Sequence, residues 1–213
     1  MSATQHKPVQ AAFGRVVLVA SLGGMKALGT VLGGLPGDFA VPVVVAQHRR
    51  PTLSSDDPLA QILSRASSLP IRVAERGASA DNPGITIVPA GKTATIDADG
   101  AWMLTEETSK AGVGDAVLAS SAALVPTVAV ILTGRLADGA NGCRAVKRNG
   151  GRVLVQDPAT AEASSMPAHA IATGCVDFVL PPDRLAAAVL ALTTAPGGAE
   201  LLTVPVPPWA CLN

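Results

Sequence analysis

The stretch RVVLVASLGG, residues 15–24, joins a strand-like run to a glycine-bearing turn, and the fold prediction begins from it. Its first six residues, Arg15–Ala20, do not alternate with polar residues, which is typical of a strand covered on both faces. Beyond the turn, Leu28, Val31 and Leu32 recur at helical spacing on one face. A buried strand followed at once by a helix is the repeating unit of a parallel α/β sheet.

The same alternation of strand and helix continues along the chain. One helical pattern follows Asp138 and Gly139. A second begins at Pro167 and ends at Gly174, and a third begins at Pro182. Four further β-branched runs lie at Val41–Ala46, Thr127–Leu132, Arg152–Val155 and Val176–Leu180. The sequence therefore predicts a doubly wound α/β fold, with a mainly parallel sheet and helices on both of its faces.

The middle of the chain, residues 71–104, has a different pattern. Short runs at Gly84–Pro89, Thr93–Asp97 and Ala101–Leu104 are separated by proline, glycine and an Asp-Gly turn. This pattern predicts a β-hairpin inserted into the α/β frame. We divide the chain into a polar leader at 1–13, a catalytic-type domain at 14–193, and a proline-bearing tail at 194–213 that we expect to be extended and peripheral.

Composition excludes several classes of protein. The 213 residues suit one domain, and 48% of them are apolar, as in a globular chain. Sixteen basic residues balance sixteen acidic ones, so no global basic field indicates nucleic acid as a partner. The apolar runs are shorter than the roughly 20 residues of a membrane-spanning helix, which argues against membrane insertion. Three scattered cysteines fit a reducing, cytoplasmic location.

Three reactive side chains directly follow predicted strands. Ser21 follows the first strand, His48 the second and Asp138 a later one. In an open parallel sheet the functional crevice lies beyond the carboxyl ends of the strands, so these side chains are expected at one edge. A hydroxyl, an imidazole and a carboxylate are the parts of a catalytic triad. Gly23 and Gly24 allow close approach of a substrate to the N-terminus of the following helix.

Each of these residues also has a structural interpretation. Ser21 and Asp138 suit the N-caps of the helices that follow them, and His48 suits an ordinary loop position. No dinucleotide or P-loop glycine motif occurs, and no His, Cys or carboxylate pair has metal-ligand spacing, so we expect neither a metal nor a cofactor. His169 is interpreted as a surface residue. On spacing alone, the catalytic and capping interpretations both stay open.

Several motifs, taken in order, resemble the catalytic domain of CheB-type protein-glutamate methylesterases. They cover roughly residues 14–192. The matching segments are Ala20-Ser21-Leu22-Gly23-Gly24, Gln47-His48, Val88-Pro89-Ala90-Gly91-Lys92, Leu132-Thr133-Gly134 with Asp138-Gly139-Ala140, and Gln156-Asp157-Pro158 with Ser165-Met166-Pro167.

The resemblance implies a sheet of about seven strands in a three-layer sandwich. It implies hydrolysis of glutamyl methyl esters on chemoreceptors, with deamidation of glutamine as a related reaction and no cofactor. Ser21 then matches the nucleophile, His48 the base and Asp138 the orienting carboxylate. The backbone near Leu22 and Arg135 matches the region that binds the oxyanion.

The sequence departs from the family pattern at four places. Only about thirteen residues precede the first strand, so we expect no N-terminal receiver domain. Arg135 replaces a methionine or small residue, and Thr93 replaces a histidine. Only Asp115 is kept from an Arg-Pro-Ser-x-Asp signature, at Gly112-Val113-Gly114-Asp115. These departures affect the expected substrate more than the expected reaction.

The main functional hypothesis is a serine esterase of the methylesterase type acting on a methylated chemoreceptor or a similar acidic protein. Arg49, Arg50 and Arg135 would favour such an acidic surface. One alternative is an inactive relative that binds a signalling partner through the same crevice. Another is an esterase or amidase with a different substrate.

Overall fold

The computed structural model describes residues 12–51, 57–106, 112–195, 197–201 and 205. Most of the predicted polar leader and of the tail, including residues 1–11 and 206–213, lies outside this part. In chain order the elements are β1 Arg15–Ala20, α1 Gly24–Gly33, β2 Val43–Gln47, α2 Pro58–Leu63, β3 Ile71–Val73, β4 Ile85–Ile87, β5 Lys92–Ile96, β6 Trp102–Glu106, α3 Val113–Leu124, β7 Thr127–Ile131, α4 Ala140–Arg148, β8 Arg152–Gln156, a 3₁₀ turn Pro158–Thr160, α5 Ser165–Ala172, β9 Phe178–Leu180, α6 Pro182–Thr194 and α7 Gly198–Leu201.

Seven strands form one sheet in the order β3-β4-β2-β1-β7-β8-β9, and every pairing in it is parallel. The predicted doubly wound α/β fold is therefore confirmed, and β1 lies at its centre. The strand order reverses between β2 and β7 on either side of β1. Crevices in such sheets form where the order reverses, which is beyond the end of β1.

Both faces of the sheet are buried, which explains the continuous aliphatic runs. Along β1, Val16 and Leu18 face a core shared with α1, α2 and α6, whereas Val17 and Val19 face the core on the other side. That second core is closed by α3, α4, α5 and the hairpin β5–β6, whose Trp102 is fully buried. The result is the predicted three-layer sandwich with a hairpin insertion.

The middle of the chain was only partly predicted. The antiparallel hairpin exists, but it comprises β5 and β6 alone. The run at Gly84–Pro89, which we grouped with the hairpin, instead forms β4, and β4 pairs in parallel with β2 and β3 in the main sheet. The error has a physical cause, because strands of three residues carry too little pattern to reveal their partner.

The ends of several elements also differ from the sequence prediction. The second strand begins at Val43 and the last at Phe178, each two residues later than expected, and α5 begins at Ser165, two residues before Pro167. Part of the tail forms the short helix α7 and is not extended. Among the described residues, no helix is long and apolar enough to cross a bilayer.

Candidate active site

Ser21 lies immediately after β1, in a turn fixed by backbone hydrogen bonds. Its N–H donates to Thr133 O at 3.0 Å, and its carbonyl accepts from Gly24 N at 2.9 Å. The N-cap of α1 is Gly23, with no side-chain cap hydrogen bond, so the interpretation of Ser21 as that N-cap is wrong. The Ser21 hydroxyl is left for another role.

Gly23 is required by its conformation and by its surroundings. Its φ of 77° lies in the left-handed region, where a side chain is strained. A Cβ at this position would also come within 2.7 Å of the Glu162 side chain. The turn can therefore pass close to the neighbouring loop only because this residue has no side chain.

The register of the sheet brings His48 beside Ser21. Ala20 pairs with Gln47, and the ladder continues through a hydrogen bond from His48 N to Ala20 O at 3.0 Å. Val19 and Ala46 both face the α3 side of the sheet. Ser21 and His48 thus each come two residues after a side chain that faces that side, directly beyond the ends of two adjacent strands.

Ser21 and His48 line one cavity of about 570 Å³. This volume is in the usual range of about 300–1,000 Å³ for a small-molecule site. The wall contains both charged and apolar side chains, and its lining residues are Ser21, Leu22, Gly23, Gly24, Met25, Lys26, Gln47, His48 and Glu162. Leu22 and Gly23 thus line the same cavity as Ser21.

Asp138 lies in the loop between β7 and α4, and its carboxylate contacts the N-terminus of α3. One oxygen accepts from Gly114 N at 2.9 Å and the other from Asp115 N at 3.0 Å. The helix that follows Asp138, α4, has Gly139 as its N-cap, so Asp138 caps a different helix from the one we expected. Asp138 is half-buried on the α3 side of the sheet and is not one of the residues that line the 570 Å³ cavity.

Asp115 completes a reciprocal arrangement between α3 and α4. It lies in the first turn of α3, and its carboxylate accepts from Gly142 N of α4 at 2.7 Å. Burial raises the pKa of Asp115; the Gly142 hydrogen bond opposes this shift, and the nearby Asp138 carboxylate adds to it. The two carboxylates thus hold the two helix N-termini together behind the reactive edge.

Two backbone N–H groups are available near Ser21. Across the described residues, neither Leu22 N nor Arg135 N donates a hydrogen bond to another group of the chain. Leu22 follows Ser21 directly, and Gly134, which precedes Arg135, lies so near that a Cβ on it would be 2.9 Å from Ser21 Cβ. Two such donors beside a serine hydroxyl could bind the negative charge that develops on a carbonyl oxygen.

The arginines near the site differ in whether their guanidinium groups can contact a substrate. Arg49 is largely buried, donates to Val88 O at 3.1 Å and forms an ion pair with Asp57 at 2.5 Å. Asp57 also caps α2 through Leu59 N, so the pair ties the end of β2 to that helix. The expectation that Arg49 attracts an acidic substrate is therefore wrong, while Arg50 and Arg135 are exposed.

A family model described as CheB methylesterase matches residues 16–189. The chain belongs to the CheB methylesterase family. The crystal structure of the Thermotoga maritima CheB methylesterase catalytic domain is 31% identical and has a TM-score of 0.73, covering 88% of this chain and 98% of that one. The resemblance inferred from the motifs is thereby confirmed.

Two relatives of this CheB-family chain differ in how much of their own length it matches. The protein-glutamate methylesterase/protein-glutamine glutaminase of Moorella thermoacetica is 35% identical over 192 residues, which span 85% of this chain but 45% of that protein. The putative protein-glutamate methylesterase/protein-glutamine glutaminase of Leptospira interrogans is 33% identical over 176 residues, spanning 80% of this chain and 90% of that one.

The residues at which this CheB-family chain departs from the usual pattern lie outside the cavity. Thr93 is buried in β5 of the hairpin. Gly112–Asp115 opens α3 and provides the N–H groups that bind Asp138. Arg135 is exposed and follows Gly134, which lies close to Ser21. Of the three, Arg135 is therefore the departure closest to Ser21.

Sequence reasoning missed two charged residues of the CheB-family cavity, Lys26 and Glu162. Glu162 follows β8, so the rule that sites form beyond carboxyl ends of strands pointed to its loop. His169, interpreted as a surface residue, is exposed on α5 and hydrogen-bonds Ser165 O at 2.8 Å. Among the described residues, no three His, Cys, Asp or Glu side chains are grouped so that they could hold a metal ion.

Proposed function

We propose that this chain is a serine hydrolase that cleaves glutamyl methyl esters on a methylated chemoreceptor, with Ser21, His48 and Asp138 as its triad. The observation that supports the proposal is that Ser21 and His48 directly follow Ala20 and Gln47, which pair in the register of β1 and β2, and line one cavity. The relatives' names supply the reaction and its related glutaminase activity.

In the proposed reaction, the Ser21 Oγ–H gives its proton to His48 as Oγ attacks the ester carbonyl carbon. The negative charge that develops on the carbonyl oxygen is bound by the N–H groups of Leu22 and Arg135. Collapse of the intermediate breaks the C–OCH₃ bond, and His48 returns the proton to the departing methanol. A water then attacks the acyl-enzyme and releases the glutamate carboxylate and Ser21.

Asp138 is proposed to hold the imidazolium of His48. Its carboxylate contacts α3, on the side of the sheet that Val19 and Ala46 face, two residues before Ser21 and His48. A carboxylate has about four lone-pair positions, and the N–H groups of Gly114 and Asp115 use two of them, so acceptor capacity remains for a ring N–H. The α3 N-terminus is complementary to the carboxylate's negative charge.

Partner and location follow from the same proposal. The substrate would be the acidic surface of a receptor polypeptide, approached by the exposed side chains of Arg50 and Arg135. We propose a cytoplasmic location, in which Cys143 and Cys175 remain the free buried thiols seen here.

Release of methanol from a methylated chemoreceptor fragment tests this function. We expect wild type to release methanol and Ser21→Ala to release none above background. His48→Ala should lose activity as well, whereas His169→Ala, a matched change at an exposed histidine outside the cavity, should keep it. Hydrolysis of small esters without methanol release from receptors would instead favour a different substrate, and no hydrolysis at all would favour a binding protein.

A further inference from the structure

Leu136 has two unfavourable features at once. It is 78% exposed, more than any other large hydrophobic residue in the part of the chain that the structure describes. Its φ of 67° is positive, and within the described residues no other non-glycine residue has a positive φ. The left-handed conformation is costly for any residue with a Cβ, and glycine or asparagine adopts it more readily. Neither packing nor local conformation accounts for a leucine here.

The surrounding loop holds Leu136 in this conformation. Its carbonyl accepts from Ser165 Oγ at 3.0 Å. Gly134, two residues earlier, donates to Ala163 O and accepts from Met166 N, both at 2.9 Å. These bonds fix the backbone on either side of Leu136 and leave its side chain in solvent. Strain maintained in this way is found at functional sites, where it presents a group in a set position.

Leu136 belongs to a loop joined to the Ser21 turn. The Thr133 hydroxyl donates to Leu22 O at 2.9 Å, which ties the two loops together. Leu22 and Met25 line the cavity and are 42% and 51% exposed. The other exposed hydrophobic residues are scattered over α2, α3, α5 and β9, as Ile62, Leu124, Ile171 and Val179. Three of the seven exposed large hydrophobic residues that the structure describes thus belong to the cavity wall or to the loop bonded to it, and grouped apolar side chains of this kind mark binding surfaces.

We infer that Leu136 is a specificity-determining residue that contacts an apolar side chain of the polypeptide substrate beside the esterified glutamate. The inference rests on the proposed function and extends it. The cavity at Ser21 accommodates the scissile group, and the polypeptide on either side of that group must cross the surrounding loops. A rigidly presented leucine can bind an apolar neighbour there at little cost in side-chain entropy. A small ester does not reach it.

Two peptides test the inference, each with one glutamyl methyl ester, flanked by leucines in one and by serines in the other. We expect wild type to have a kcat/KM about tenfold higher for the leucine peptide, the gain of an anchor worth about 1.4 kcal/mol. Leu136→Asn and Leu136→Gly should abolish this preference, and Leu136→Met should keep it. Ile171→Ala, which removes an exposed apolar side chain from α5, should change neither rate.

The same variants should move stability in the opposite direction. Leu136→Asn and Leu136→Gly relieve the left-handed strain, so each should raise the melting temperature while lowering selectivity. A residue with only a structural role would not give this combination. A fall in melting temperature, or an unchanged preference for the leucine peptide in Leu136→Asn, would overturn the inference.

Binding separates this inference from the proposed function. In the Ser21→Ala background, fluorescence anisotropy with the labelled leucine peptide should show about tenfold weaker binding when Leu136→Asn is added. If wild type fails to hydrolyse either peptide, the proposed function fails, and this binding difference still supports the role of Leu136. Equal binding with and without Leu136→Asn, or no binding of the leucine peptide at all, contradicts it.

Discussion

Polar residues have opposite uses at the two ends of the parallel strands. We call the end where the strands begin the amino edge of the sheet, and the end where they finish the carboxyl edge. At the amino edge, Arg15 is 1% exposed and donates to Ser121 Oγ at 3.1 Å and to Asp81 at 2.5 Å. Burial lowers the pKa of Arg15, and Asp81 opposes that shift. Also at this edge, Lys147 forms a buried ion pair with Asp177.

At the carboxyl edge, Ser21 and His48 instead face a solvent-connected cavity. The difference shows that buried charges at the amino edge serve the fold, because an unpaired buried charge is costly there. At the carboxyl edge, Ser21 and His48 are positioned and left accessible, and the buried Arg49–Asp57 pair there serves the fold. Substitutions at the amino edge should therefore reduce stability, and substitutions at the carboxyl edge should reduce activity.

Asp138 tests this comparison most severely, because it caps a helix and is also proposed to act on His48. Asp138→Asn keeps one acceptor oxygen for the α3 N–H groups and turns an NH₂ toward the other, so the free energy of unfolding should fall by only about 1 kcal/mol. It should lower kcat by about 10⁴, as loss of the orienting carboxylate does in serine hydrolases, which corresponds to about 5.5 kcal/mol. The measurement is kcat for methanol release, with urea unfolding in parallel.

Asp115→Asn is the matched control, since Asp115 also binds a helix N-terminus but belongs to the α3–α4 contact. We expect its effect on kcat to be far smaller. If Asp138→Asn retains wild-type kcat, Asp138 is a capping residue alone, and the proposed triad loses its acid.

Lys147 tests the other edge. Lys147→Met leaves Asp177 buried without this cation, although the Asp177 carboxylate still accepts from Val153 N at 2.8 Å. We expect the free energy of unfolding to fall by about 3–5 kcal/mol, the usual result of breaking one side of a buried pair.

The urea midpoint measures this loss, and kcat per folded molecule should not change. Adding Asp177→Leu to Lys147→Met should recover part of the stability, because it removes the buried carboxylate that has lost its cation. A large fall in kcat at full folding would contradict the division between the edges.

A smaller effect is expected on the pH dependence of stability, through the structural carboxylate of Asp115. Because burial raises the pKa of folded Asp115, the folded chain binds this proton more tightly than the unfolded chain. The free energy of unfolding should then fall as the pH rises from about 3.9, the ordinary Asp value, through the raised value. Asp115→Asn should remove this part of the slope in urea midpoints measured between pH 4 and 7, whereas parallel curves would refute it.

The sequence was sufficient to predict the central strands of the sheet, because β1, β7 and β8 are long, rich in β-branched residues and buried on both faces. It did not reveal α3, whose small residues give little contrast between faces. That helix packs against the sheet, α4 and the hairpin. The Ser120 hydroxyl of α3 also accepts a hydrogen bond from Ile96 N of β5 at 3.1 Å. A helix covered on several sides lacks the polar face that marks a surface helix.

For the site, chain order predicted the neighbourhood of Ser21 and His48, because both follow adjacent parallel strands. Missing α3 had a direct consequence, since the sequence did not show that Asp138 binds that helix. The conformation of Leu136 was equally hidden, because Ser165, 29 residues away, is one of the groups that hold it. Local sequence patterns do not encode such long-range contacts.

Reaction with a fluorophosphonate, followed by mass spectrometry of the labelled peptides, tests the central claim that Ser21 is a nucleophile activated by His48. We predict one adduct per wild-type chain, located on Ser21, with much slower labelling in His48→Ala and none in Ser21→Ala. An unlabelled wild-type chain, or an adduct on another residue with Ser21 unmodified, would contradict the account.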